Sequence, residues 1–131
     1  MSTQLLAPPI DIARATEVVQ KGLPWNEAQF LSHELGLTLA ELADLTGISQ
    51  PTFFRRRKQK RFHADESDHL MRFARLWSQA IDVFENGKGA REWLKQPALG
   101  LGGRIPLEAA KTETGAHEVD VLLQRIDYGV P

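Results

Sequence analysis

Two helix starts follow closely on one another, at Thr38 and Ser49, with Gly47 between them. Thr38-Leu39-Ala40-Glu41 reads as a capping box: the Thr38 hydroxyl accepts from the Glu41 amide, and the Glu41 carboxylate reaches back. That helix ends near Thr46, and Gly47 supplies a left-handed turn. Ser49 is a second N-cap residue, and Pro51 stands in the first turn, where a missing amide costs little. A chain that stops and restarts a helix over so short a stretch has to fold back as a tight helical pair. Ala43 is small where the second helix must cross, and Leu42, Ile48 and Phe53 are the apolar wedges between the two. The spacing over residues 39–58 predicts a helix-turn-helix.

The remaining chain keeps the helical period, and no run alternates as a strand would. Helices are expected over residues 11–21, stopped by Gly22 and Pro24, and over 26–35, with Trp25 before and Gly36 after. A long helix over 65–85 carries Leu70, Phe73, Ala74, Trp77, Ala80, Ile81 and Phe84 as one stripe, and Asn86-Gly87 ends it. A short helix at 90–95, a glycine- and proline-rich loop to 104 and a short helix from Pro106 to Lys111 follow. The last helix, 114–128, lines up Ala116, Val119, Leu122, Leu123 and Ile126 before Gly129. The fold class expected is all-α. A helix-turn-helix lobe over residues 1–63 precedes a smaller helical lobe over 64–131, and the long helix is shared between them.

Composition narrows the chemistry. The 131 residues include no cysteine, which excludes disulfides and thiolate metal sites and fits a reducing cytoplasm. The first ten residues lack the basic start and apolar run of a signal peptide, and no segment is long and apolar enough to span a bilayer. Asp65 and His69 share a helix face, as metal ligands or as an ordinary ion pair, but no third ligand is in view. His33-Glu34 and His117-Glu118 are sequence neighbours that point different ways on a helix. The glycines of residues 100–103 follow no strand, and no nucleophile elbow, phosphate loop or dinucleotide fingerprint occurs. No metal, cofactor or enzymatic activity is expected.

The charge is lopsided. Arg55, Arg56, Arg57, Lys58, Lys60 and Arg61 form a block interrupted by Gln59; with those six cations set aside, a whole-chain net charge of −1 becomes −7 for the rest. Such a block suggests one anionic partner at one place, or a solvated helix end whose cations answer the helix dipole. Because it closes the second helix of the pair, operator DNA is the expected partner. Ser49, Gln50, Thr52 and Arg55 then stand at the end of the reading helix that meets base edges; glutamine pairs with adenine, arginine with guanine, and threonine serves either polarity. Arg56, Arg57, Lys58, Lys60 and Arg61 are expected on phosphates. Phe54 is a thymine-methyl contact or a second core residue. Arg56 stands where many such units carry an apolar residue, so the helix is expected to end early or pack loosely there.

The second half carries Phe84, Ala90, Trp93-Leu94, Pro97-Ala98-Leu99, Gly103-Arg104, Pro106-Leu107, Thr112-Glu113, Gly115-Ala116, Val119, Leu122-Leu123, Arg125-Ile126 and Gly129 in one order. This series resembles the toxin-binding domain of the Xre/MbcA/ParS antitoxins closely over residues 65–130, and more loosely over the helix-turn-helix. Leu101-Gly102 lengthens the loop relative to the family, and Ala109-Ala110 is a smaller pair than it usually carries. The resemblance implies a type II antitoxin that neutralises a RES-type, NAD-consuming toxin by blocking its active site with the C-terminal helix and tail. It also implies autorepression of the shared operon, by a homodimer or a larger hetero-oligomer with the toxin. Arg104, Arg125, Asp127, Tyr128, Gly129, Val130 and Pro131 are the residues expected on the toxin, with a carboxylate in an anion site and Tyr128 on a flat subsite. Arg104 reaches a partner carboxylate or the carbonyls of its own loop, and the tail docks or frays. Trp93 and Leu94 are expected to close the core over the loop. The alternative is a stand-alone helix-turn-helix regulator whose second half dimerises or senses a ligand.

Overall fold

The computed structural model describes residues 4–129. Eight α-helices are found there: α1 (Ile12–Lys21), α2 (Trp25–Leu35), α3 (Leu39–Thr46), α4 (Gln50–Gln59), α5 (Ala64–Phe84), α6 (Gly87–Lys95), α7 (Pro106–Ala109) and α8 (Glu113–Asp127). The one element not expected is a 3-10 turn, Leu99–Leu101. The chain divides into two compact units, one up to Ala74 and one from Arg75 onward. The division falls inside α5 rather than at its start, so the first half of that helix packs with the first unit.

Side-chain caps account for most helix starts. Thr38 and Glu41 form both halves of a capping box, with bonds of 3.0 and 2.9 Å. Asp11, Ser49, Asn86 and Thr112 each cap the helix they precede. Gly36 and Gly47 take the left-handed conformation that closes α2 and α3.

The core of the first unit is aromatic. Trp25, Phe53 and Phe62 meet pairwise at 5.2–5.7 Å between ring centroids. Phe53 and Phe62 are buried almost completely, and each such ring contributes roughly 1.5–3 kcal/mol through removal from water. Around them lie Leu31, Leu35, Leu42, Ala43, Ile48 and Leu70. A two-residue antiparallel contact ties the loop before α2 to the loop after α4: the Trp25 amide donates to Lys60 O at 2.9 Å and the Phe62 amide to Leu23 O at 2.8 Å. Gly22 makes this approach possible, because a Cβ there would stand 2.1 Å from Phe62 O.

In the second unit, Trp77, Ala80, Ala90, Leu94, Leu101, Leu107, Ala116, Val119 and Leu123 are buried. Leu94 is in the core as expected, whereas Trp93 is half-buried and packs against Phe84 at 5.6 Å. Gly115 opens α8 where a Cβ would come within 1.8 Å of Ala109 O. The small Ala109-Ala110 pair therefore belongs to a close crossing between α7 and α8.

Candidate nucleic-acid interface and carboxy-terminal face

Helix α4 sorts its side chains by period. Phe53 and Arg56, three apart, are buried, whereas Gln50, Arg55, Arg57 and Lys58 are exposed and Thr52 is half-exposed. The Ser49 hydroxyl accepts from the Thr52 amide at 3.4 Å, which anchors the helix start and leaves the exposed residues of the first turn facing outward. Phe54 is half-buried and packs on both Phe53 and Trp25. The structure thus leaves Arg55 and Lys58 on the side of α4 opposite Phe53 and Arg56, with Gln50 and Thr52 at its two flanks.

Arg56 corrects the expectation placed on it. Its side chain is 5% exposed and faces Glu66, which is 10% exposed. Nε and Nη2 donate to Glu66 Oε1 and Oε2, both at 2.7 Å, and Nη1 donates to Gln59 Oε1 at 2.7 Å. A guanidinium already committed on three nitrogens inside the fold is not a phosphate contact. Nor does α4 end early there: it runs on to Gln59. The pair is electrostatically coherent. The hydrogen bonds from Arg56 hold the Glu66 carboxyl below its ordinary value of 4.5 against the opposing effect of burial, helped by the His63 amide. The same contact raises Arg56 above its ordinary value. Glu66 also completes the start of α5, accepting from the His63 amide at 2.8 Å.

The other cations are differently engaged. The Arg57 guanidinium lies over the rings of Trp25 and Phe54, at 5.5 and 5.3 Å, while the residue stays exposed. This stacking fixes the stem and leaves the charge facing water. Arg61 is exposed, but its Nη1 donates to Gly22 O at 2.6 Å. Lys60 caps α4 in the left-handed conformation, φ 67°, and is exposed. Trp25, the platform for Arg57, was not foreseen as part of this face; its place after Pro24 at the start of α2 gave no sign of a partner far along the chain. His69, proposed beside Asp65, has Nδ1 2.9 Å from Thr46 O, a carbonyl that only accepts.

In the second unit, Arg104 bonds to a carbonyl of its own loop and also pairs with a carboxylate of its own chain. Nε donates to Leu101 O at 2.8 Å, and Nη2 pairs with Glu118 on α8. Arg125, Asp127, Tyr128 and Gly129 are all exposed at the end of α8. The backbone is hydrogen-bonded as far as Gly129: the Tyr128 amide donates to Gln124 O and the Gly129 amide to Ile126 O. Val130 and Pro131 lie outside the described residues.

Two family patterns match this geometry. Residues 14–75 match the Xre-like helix-turn-helix domain of antitoxins, and residues 79–129 match the Xre/MbcA/ParS C-terminal toxin-binding domain. A protein of Photorhabdus laumondii named Antitoxin Xre is 32% identical over 115 residues, covering 86% of this chain and 78% of that protein. The chain belongs to the Xre antitoxin family. An Antitoxin Xre of Yersinia enterocolitica is 42% identical over 93 residues, 70% of this chain; the match spans 63% of that relative's length. A third, from Pseudomonas putida, is 34% identical over 65 residues, half of this chain and 41% of its own. One matched pattern describes a toxin-binding module, and the family is one of antitoxins, not enzymes. Among the described residues, no helix is long and apolar enough to cross a membrane.

Proposed function

We propose that this chain is a type II antitoxin that binds a RES-type, NAD-consuming toxin through its second unit and represses its own operon through its first. The observation that carries the reading is the pairing, in one chain, of an outward cationic reading helix with a domain matched as toxin-binding. On DNA, Gln50, Thr52 and Arg55 meet base edges, and Arg57, Lys58, Lys60 and Arg61 meet phosphates; Ser49 positions the helix start. On the toxin, Arg125, Asp127 and Tyr128 are presented by α8, with Gly129, Val130 and Pro131 continuing the same segment into the substrate pocket. Arg104 contributes by holding the loop beside α8. A role on operator DNA puts the protein in the cytoplasm, as a dimer or a larger assembly with its toxin.

Two experiments test this reading. Co-expression with the product of the neighbouring reading frame is expected to rescue growth, and deletion of residues 127–131 to abolish the rescue without unfolding the chain. Full protection by the shortened chain refutes blocking by the tail. In gel shifts on the chain's own promoter, Arg55→Glu is expected to erase preference for promoter sequence, and Lys58→Glu to weaken binding to all DNA and flatten the salt slope. Equal binding by both variants refutes the groove assignment.

A further inference from the structure

Among the described residues, Ile12, Leu99 and Tyr128 are the large apolar or aromatic side chains left exposed, and two of these belong to the second unit. Leu99 is 96% exposed. A lone surface leucine is ordinary; the backbone beneath this one is not. The 3-10 turn that carries it is closed by Leu101 N to Ala98 O, Gly102 N to Leu99 O, Gly103 N to Ala98 O and Ala98 N to Arg104 O, each at 3.0 Å. Gly102 and Gly103 both take positive φ to complete it. Leu101, two residues on, is buried and plugs the turn into the core. A loop stapled this fully presents its outward side chain in one place.

The turn is also seated on α8. Gly100 lies against the Leu122 side chain, whose Cδ1 would stand 2.7 Å from a Cβ there. Arg104 bridges the turn to Glu118, one helical turn before Leu122. Continued along the same row, α8 brings up Ile126 and then Gly129, where the proposed tail begins. Leu99 thus stands beside the row that ends in the tail, about 10 Å along the helix axis from it.

We infer that Leu99 is an anchor for the toxin: it enters an apolar socket on the toxin surface, next to but distinct from the pocket reached by the tail. The inference rests on the proposed antitoxin reading and deepens it. Its occupant is set by continuity, since the turn, Leu122 and the end of α8 form one strip inside the segment matched as toxin-binding. Because the backbone beneath Leu99 is already fixed, docking it orders one short side chain and no loop.

The test uses the full-length chain and the purified product of the neighbouring reading frame, with affinity measured by calorimetry for wild type, Leu99→Asp and Leu99→Met. Leu99→Asp is expected to weaken binding by about thirtyfold or more, and Leu99→Met to stay within about threefold, as for a central anchor and its near-isosteric replacement. Melting temperature and promoter gel shifts are expected to be unchanged in both, because the side chain touches water. Wild-type affinity in Leu99→Asp overturns the anchor alone. A drop in its melting temperature also overturns it, by showing that Leu99 supports the fold. A smaller mass for Leu99→Asp without the partner overturns it in favour of a second copy of this chain as the occupant. If wild type itself fails to bind, the antitoxin reading falls and the anchor with it.

Discussion

Removing Glu66 tests the claim that Arg56 is a core residue. In Glu66→Ala, Arg56 loses two hydrogen bonds of 2.7 Å and keeps those to Gln59 and, at 3.3 Å, to His63 Nδ1, and the His63 amide at the start of α5 loses its acceptor. Both side chains of the pair are at most a tenth exposed, so water does not replace what is lost. Breaking a buried ion pair from one side costs about 3–5 kcal/mol. That is a large part of the roughly 5–15 kcal/mol that holds a domain folded. The double variant Arg56→Met/Glu66→Leu removes both charges while keeping their volume, and is expected within about 2 kcal/mol of wild type, the residue being the unsatisfied His63 amide. Urea unfolding at neutral pH, followed by near-ultraviolet circular dichroism, measures all three chains. The double variant also separates stability from binding. A phosphate-contacting Arg56 would take about 0.9 off the slope of log affinity against log salt; the buried pair predicts an unchanged slope. A Glu66→Ala chain within about 1 kcal/mol of wild type, or a double variant as unstable as the single, would refute the reasoning.

Further outcomes follow from the same structure. The folded Glu66 carboxyl sits below its ordinary 4.5, so its contribution is complete above that pH and is lost as pH falls through the folded value; the gap between wild type and Glu66→Ala is expected to narrow in urea titrations from pH 5 towards pH 3. Lys60→Gly relieves a positive φ on a side-chain-bearing residue and is expected to gain about 0.5–1 kcal/mol in thermal melts, while losing about one phosphate contact in the salt slope. Gly115→Ala forces a methyl onto the Ala109 carbonyl and is expected to cost about 2–3 kcal/mol, visible as an early loss of helical circular dichroism.

The helices were legible because their ends are local. Thr38 and Ser49 announce caps through hydrogen bonds to amides three residues away, and Gly36 and Gly47 close helices through their own backbone freedom; Asn86 and Thr112 cap in the same local way but were not expected to, and the helices after them begin at Gly87 and Glu113 rather than at 90 and 114. Ser67 was opaque for the opposite reason. Its hydroxyl donates to His63 O within one turn, but also accepts from the Leu23 amide, far back in the chain. The same holds for Glu27, which is buried and accepts from the Leu6 amide at 2.9 Å. Nothing local marks either residue as a tie between segments. The turn at Leu99–Leu101 was hidden because three residues carry no readable period, and it is Ala98, Arg104 and Leu122 that hold it in place.

The basic block shows how far a charge count can carry an argument and where geometry has to take over. As a string, six cations look equivalent, and all six were expected on or near nucleic acid. A helix turns each residue by 100° from the last, so neighbours in the string cannot all share one face. Arg56 falls on the side of Phe53 and is drawn into the core, where only a carboxylate placed to meet it makes burial tolerable. Arg57 falls one step on, over the edge of the aromatic cluster, and is steadied without being neutralised. Arg55 and Lys58 fall on the open side. Past the end of α4, Lys60 and Arg61 are positioned not by helical period but by the backbone contact with residues 23–25, and Arg61 helps to make that junction by bonding to Gly22. The one member of the block that is buried is thus the one that ties α4 to α5, and the exposed side of α4 is held by a cation that never reaches it.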